Sequence, residues 1–176
     1  MLFPAARSVF QQAWVVNDLE ASARQWSTSL GIGPFYLATY QADRFEDVVY
    51  RGAPGTQQMR TAICYAGLVQ IELIERIGNQ PNCYTDTVPV GREGFHHICV
   101  WTFDLDADIR RHAQMGHEVA TRGRMRGGPA FAYVDAVRSI GCMIELLEHS
   151  VALENVFNGW RDNCANWTGG ELFIRR

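Results

Sequence analysis

The feature that most constrains this chain is an internal duplication. The stretch "FQQAWVVNDLEASARQWSTSLGIG", residues 10–33, returns in outline as "FHHICVWTFDLDADIRRHAQMGHE", residues 95–118. Gln11 precedes Asp18 by the same interval at which His97 precedes Asp104, and each Asp opens a similar tetrad, "DLEA" or "DLDA". Downstream, "IELIER" at 71–76 is answered by "IELLEH" at 144–149. A solenoid needs more copies than two, so an A–B, A–B order points to a pseudo-symmetric pair of modules.

Each A stretch reads as a strand followed by a helix. Residues 10–16 and 95–102 are rich in β-branched and aromatic side chains. Asp18 and Asp104 suit the first turn of a helix, where a negative charge meets the positive end of the dipole. Leu19, Ala23, Trp26 and Leu30 repeat at helical spacing, as do Leu105, Ile109, His112 and Met115. Gly31 and Gly116 fit the ends of those helices. Further strands are expected at 34–41, 45–51 and 59–66, then at 117–124 and 129–135, so each module is βαβββ. The expected divisions are a first module over 1–76, a linker over 77–94, a second module over 95–150 and a helical extension over 151–176, with its helix at 151–163.

Composition limits the chemistry. Net charge is −3, which does not suggest a nucleic-acid or anionic-membrane partner. All 16 basic residues are arginines, so Schiff-base and lysine-base catalysis are excluded. The 5 cysteines, Cys64, Cys83, Cys99, Cys142 and Cys164, form no C-x-x-C pair and mostly sit among apolar neighbours. They are expected as buried thiols of a reduced, cytoplasmic protein. The opening residues lack the apolar core of a signal peptide, and no apolar run reaches the ~18 residues of a membrane span.

Strand parity assigns faces. Ile71 and Leu73, Ile98 and Val100, and Ile144 and Leu146 should face the module helices. The opposite face then carries Gln11, Glu72, His97 and Glu145. Two of these are mid-strand carboxylates between bulky aliphatics. Burying one without a partner costs several kcal/mol, so a counter-charge, a metal or a chemical role is expected there. By the same parity His96 faces away and reads as structural, while Glu75 and Glu148, at strand ends, read as solvated.

At these residues the sequence resembles the vicinal oxygen chelate superfamily, which includes glyoxalase I, methylmalonyl-CoA epimerase, extradiol dioxygenases and bleomycin-resistance proteins. The pieces that carry the resemblance are "QQAWVVNDLEASARQWSTSLGIGPF", "VQIELIE", "GFHHICVWTFDLDADI" and "GCMIELLEH". It implies an α+β fold: two βαβββ modules with pseudo-twofold symmetry, forming a curved mixed sheet around a metal-binding cleft. It also implies one ligand from each A and each B strand, at Gln11, Glu72, His97 and Glu145, and a homodimer.

The implied cofactor is one divalent metal ion: Zn²⁺, Ni²⁺, Co²⁺ or Mn²⁺ suits oxygen and imidazole donors. Iron fits less well, because Gln11 stands where the dioxygenases carry histidine. The implied activity is that of a lyase or isomerase of glyoxalase or epimerase type, moving a proton α to a carbonyl, with Glu145 or Glu72 as base. A metal-free binding protein of the resistance type and a ring-cleaving dioxygenase are the alternatives.

The substrate is expected to be a small or conjugated carbonyl compound, anionic or thioester-linked if the arginines take part. Arg122, Arg124 and Arg126 alternate along one strand and could receive a carboxylate or phosphate, or simply form a solvated strand edge. Trp101, Phe131 and Tyr133 fall on the cleft face, where they could hold a ring or serve as core.

Overall fold

A computed structural model of the protein describes residues 8–176. Residues 1–7, with most of the stretch read for a leader and the start of the first module, lie outside the described residues. In chain order the elements are β1 (Val9–Val16), α1 (Leu19–Leu30), β2 (Phe35–Tyr40), β3 (Phe45–Tyr50), β4 (Ala53–Pro54), β5 (Met59–Ala66) and β6 (Val69–Arg76). Then follow α2 (Cys83–Thr87), β7 (Gly94–Thr102), α3 (Leu105–Gln114), β8 (Glu118–Met125), β9 (Ala130–Asp135), α4 (Val137–Ile140), β10 (Met143–Glu148), α5 (Val151–Ala165) and β11 (Phe173–Arg175).

The strands join one mixed, curved sheet in the order β11-β2-β5-β6-β1-β7-β10-β9-β8-β3-β4. The two A strands, β1 and β7, lie antiparallel at its centre, and each is flanked by its own B strand in parallel, β6 beside β1 and β10 beside β7. The α+β class with paired βαβ connections is therefore as the sequence implied. Asp18 and Asp104 are the N-caps of α1 and α3, each accepting a hydrogen bond from a backbone N–H of the first turn, at Ala21 and Ala107. They sit one step before the helices rather than inside the first turn, where a carboxylate can reach the free amides. Gly31 closes α1 in the left-handed region at φ 67, which a side chain would disfavour.

Three connections were not expected. The strand β3 does not stay with β2 and β5 but crosses to pair with β8 at the far edge. The linker contains a one-turn helix, α2, capped by Asn82, whose side chain accepts from the Tyr84 and Thr85 amides while the Thr85 hydroxyl accepts from the Asn82 amide. After α5 the chain adds β11 in parallel to β2. No helix among the described residues is long and apolar enough to cross a membrane.

Parity sorts the core into layers. Val16, Leu19, Ala23, Ile71 and Leu73 pack together under α1, and Val100, Ile144 and Leu146 pack under α3. The largest cluster lies on the other side of the sheet, joining Ala13, Val15, Cys99, Phe131, Tyr133 and Phe157. Glu75 and Glu148, expected to be solvated, are partly exposed but also hydrogen-bonded. Glu75 accepts from the Leu19 amide at 3.0 Å and pairs with Arg60 at 2.8 Å, and Glu148 accepts from the Ala130 amide at 2.9 Å. Backbone amides at a helix start and a strand start supply donors that parity cannot reveal.

Candidate metal centre

The four residues that parity and repeat single out stand on four adjacent strands, β6, β1, β7 and β10. Nε2 of His97 and carboxylate oxygens of Glu72 and Glu145 all lie within 4.8 Å of one another. His97 is sealed from solvent, and Gln11 and Glu72 are buried. Gln11, Glu72 and Glu145 line one cavity, with about 700 Å³ of free space including its mouth.

Hydrogen bonding leaves two buried polar atoms without a partner. The Gln11 amide nitrogen donates to Gln70 Oε1 at 2.6 Å, and Gln70 in turn donates to the Tyr65 hydroxyl at 2.8 Å. This fixes the amide orientation, and Gln11 Oε1 is left buried without a partner. His97 Nε2 is also buried without a hydrogen bond, although it lies 3.1 Å from Glu145 Oε2 and 3.7 Å from Glu72 Oε2. An unmet buried polar atom costs about 1–3 kcal/mol, and a buried carboxylate without a partner costs more. One imidazole nitrogen and two carboxylates that converge, with the Gln11 amide oxygen on the neighbouring strand, are donors that suit a divalent cation without a thiolate. Cys83 and Cys99, both buried, have their thiols pushed up, first by desolvation. All 5 cysteines are free thiols, and Cys64, Cys83, Cys99 and Cys142 are buried.

The electrostatics show the same need. Burial, and then the neighbouring Glu145, push the Glu72 carboxyl well above the carboxylate range. Burial also raises the Tyr133 and Tyr84 hydroxyls, so both remain neutral donors or acceptors.

The two consecutive histidines correct the parity reading. A register shift between β1 and β7 pairs Ala13 with His97 and Trp14 with Phe95, leaving His96 as the extra residue of a bulge. The bulge breaks the alternation, so His96 packs beside His97 instead of facing the helices. Its Nδ1 lies 2.8 Å from His97 Nδ1, and its Nε2 lies 3.0 Å from the Cys83 carbonyl oxygen. Its ring is edge-on to Tyr84 and Tyr133. Burial, then the neighbouring imidazole of His97, push its pKa down to about 3, so it is neutral.

Of the expected substrate residues, Phe131 and Tyr133 line the cavity. Trp101 does not: Phe10 stacks on its indole at 4.4 Å and Phe157 lies 5.9 Å away, so the ring is consumed in packing. Arg122 and Arg124 also stay outside it. Arg122 pairs with Asp106 at 3.7 Å on the surface, and Arg124 bonds Glu148 at 3.1 Å and the Gly128 carbonyl at 3.0 Å. Strand parity gave these arginines a shared face, but nearby acceptors hold them at the sheet's rim.

Sequence reasoning missed Tyr40, Phe45, Met59 and Met125 on the sheet side of the cavity, Gln57 beside them, and Leu153, Phe157 and Trp160, which close it from α5. The last three share a helix face, so their spacing was a usable signal. Gln57, in a loop and donating to the Tyr84 hydroxyl at 2.8 Å, gave none.

Residues 10–133 match the model of a family described as the Glyoxalase/Bleomycin resistance protein/Dioxygenase superfamily. No protein of curated function matches the chain. Among solved structures, methylmalonyl-CoA epimerase from Mycobacterium tuberculosis is similar at 16% identity, covering 88% of this chain and 96% of that one with a TM-score of 0.60. A Streptomyces coelicolor methylmalonyl-CoA epimerase variant in complex with 2-nitronate-propionyl-CoA is similar at 19% identity, covering 84% and 97% with a TM-score of 0.60. A hypothetical protein from Bacillus halodurans shares 14% identity over 82% and 95%, with a TM-score of 0.59. At these identities the likeness is one of fold.

Proposed function

Because the chain belongs to the Glyoxalase/Bleomycin resistance protein/Dioxygenase superfamily, we propose that it is a divalent-metal-dependent isomerase or lyase that moves a proton on the carbon next to a carbonyl. The observation that carries this reading is the pair of buried, unpartnered polar atoms, Gln11 Oε1 and His97 Nε2, with two carboxylates at the base of an apolar cavity. Gln11, Glu72, His97 and Glu145 hold the ion. When bound, a divalent ion supplies Lewis-acid polarisation of a substrate oxygen and so stabilises the charge left when the proton departs.

The remaining work belongs to the chain's own groups. Glu72 or Glu145, the two carboxylates beside His97, receives the proton. Tyr40, Phe45, Phe131 and Trp160 exclude water and orient the substrate. Among the described residues the cavity is lined mostly by apolar and aromatic side chains, which favours a neutral, apolar carbonyl compound over a free carboxylate or phosphate.

Apolar walls alone would equally suit a metal-free binding protein of this superfamily; the unmet donors favour the metal enzyme. Gln11 in the first ligand place, where the dioxygenases carry histidine, counts against ring cleavage.

The test has two parts. Protein purified without added metal is assayed for a stoichiometric divalent ion. It is then incubated in D₂O with a panel of aromatic and aliphatic α-hydroxycarbonyl compounds, and deuterium entry at the α-carbon is followed by NMR. Stoichiometric metal and wash-in lost on its removal are expected. Wash-in untouched in both Glu72→Gln and Glu145→Gln overturns the base assignment.

A further inference from the structure

We propose that His96 is a positioning residue: through its hydrogen bond to His97 it sets the tautomer that leaves His97 Nε2 free to bind a cation. The inference rests on the metal-centre reading above and adds a task for a residue outside the ligand set. The logic follows from hydrogen counts. The Cys83 carbonyl oxygen can only accept, so the 3.0 Å contact requires a hydrogen on His96 Nε2. His96 is sealed from solvent with an imidazole and a carbonyl as its partners and, among the described residues, no carboxylate to hold a charge, so it is neutral and carries a lone pair on Nδ1. Only one hydrogen fits in the 2.8 Å gap between the two Nδ1 atoms, so it must sit on His97. In the neutral imidazole, the form that can bind a cation, Nε2 of His97 is then the lone pair, 3.7 Å from Glu72 Oε2 and 3.1 Å from Glu145 Oε2.

Three features keep the relay in one direction. His96 is sealed from solvent, and its ring neighbours are the phenol rings of Tyr84 and Tyr133 and the imidazole of His97. No carboxylate contacts it among the described residues. The carbonyl that anchors the relay belongs to the first residue of α2, which the Asn82–Thr85 capping box holds in place. The β-bulge that turns His96 inward and the short helix in the linker thus serve one end. Imidazole ligands are commonly fixed by an acceptor on the other ring nitrogen, and loss of such an acceptor weakens metal binding about 10–100-fold.

The tautomers can be observed directly. Long-range ¹H–¹⁵N correlation spectra of metal-free, ¹⁵N-histidine-labelled protein should show His97 protonated on Nδ1 and His96 on Nε2. Co²⁺ titration, read by its visible absorption, then tests the consequence. His96→Leu, which removes the acceptor, should weaken Co²⁺ binding about 10–100-fold. His96→Asn, whose carbonyl can take the Nδ1 place, should recover most of the affinity.

An Nε2–H tautomer for His97, or unchanged Co²⁺ affinity and spectrum in a folded His96→Leu, overturns the proposal. If His96→Leu does not fold, the spectra of the wild-type protein decide. Failure of the metal-centre reading looks different: the wild-type protein would bind no Co²⁺, while the tautomer measurement would still report on His96.

Discussion

Glu72 and Glu145 stand on strands separated by two others, β1 and β7, yet their carboxylates and His97 Nε2 come within 4.8 Å of one another. The curvature of the sheet makes this possible, because side chains on its concave face converge. Two like charges brought together in an apolar site repel unless a proton or a cation lies between them. Removal of divalent ions should therefore cost stability. At free Zn²⁺ or Mn²⁺ about 100 times the dissociation constant, the added stability should be about 2.7 kcal/mol. For a chain of this size that is roughly 5–10 °C in Tm. Differential scanning calorimetry with and without the ion checks it. The gain should vanish in His97→Ala, and an unchanged Tm in the wild-type protein would count against a metal site.

The metal-free protein should also show a pH signature of Glu72. Its carboxyl is pushed well above 4.5 by burial and by Glu145. The folded state therefore keeps a proton that the unfolded chain releases, and stability falls as pH rises from about 4.5 through the folded value. His96 acts in the opposite sense. Its pKa falls from 6.5 to about 3, so the unfolded chain gains a proton across that window and stability rises with pH there. Glu72→Gln removes the first effect and keeps the second. The Tm of metal-free Glu72→Gln, relative to metal-free wild type, should climb as pH increases above about 4.5. A difference independent of pH would contradict the raised carboxyl.

Arg124 provides a control on the rim of the sheet. Sequence alternation placed it with Arg122 as a possible anion receptor, but its guanidinium is held by Glu148 and the Gly128 carbonyl outside the cavity. Arg124→Met should leave deuterium wash-in within about twofold of wild type. Its ion pair with Glu148 is exposed enough that little stability is at stake, roughly 0–1 kcal/mol. A large rise in KM for a neutral substrate would show that the rim takes part after all.

How much could be read from the sequence follows from which forces are local. The duplication, the caps at Asp18 and Asp104 and the alternation around Glu72 and Glu145 are short-range patterns, and each leaves a mark on residue order. The inward turn of His96 depends on a register shift against β1, a relation between distant segments that no local pattern records. The same holds for β3, whose partner β8 lies in the other half of the chain, and for Gln57, which reaches the cavity from a loop. Glu75 and Glu148 each take one backbone amide, which has no residue letter, and one arginine from another strand, and neither relation is local in the sequence.

The last prediction concerns α5, which covers the cavity. Phe157 sits at the centre of an aromatic cluster, with ring centroids 6.1 Å from Phe10, 5.9 Å from Trp101 and 5.4 Å from Trp160. It is buried against the sheet and also forms part of the cavity wall. Truncation to alanine removes both transfer energy and packing partners, which for a buried phenylalanine costs about 3–5 kcal/mol. Urea denaturation of Phe157→Ala should show a loss in that range. The vacated ring volume joins the cavity, so the variant should admit bulkier neutral carbonyl compounds while wash-in with small aliphatic ones persists. A variant as stable as wild type would mean that α5 does not hold this wall in solution; one that is destabilised but unchanged in substrate range would place Phe157 in the core alone.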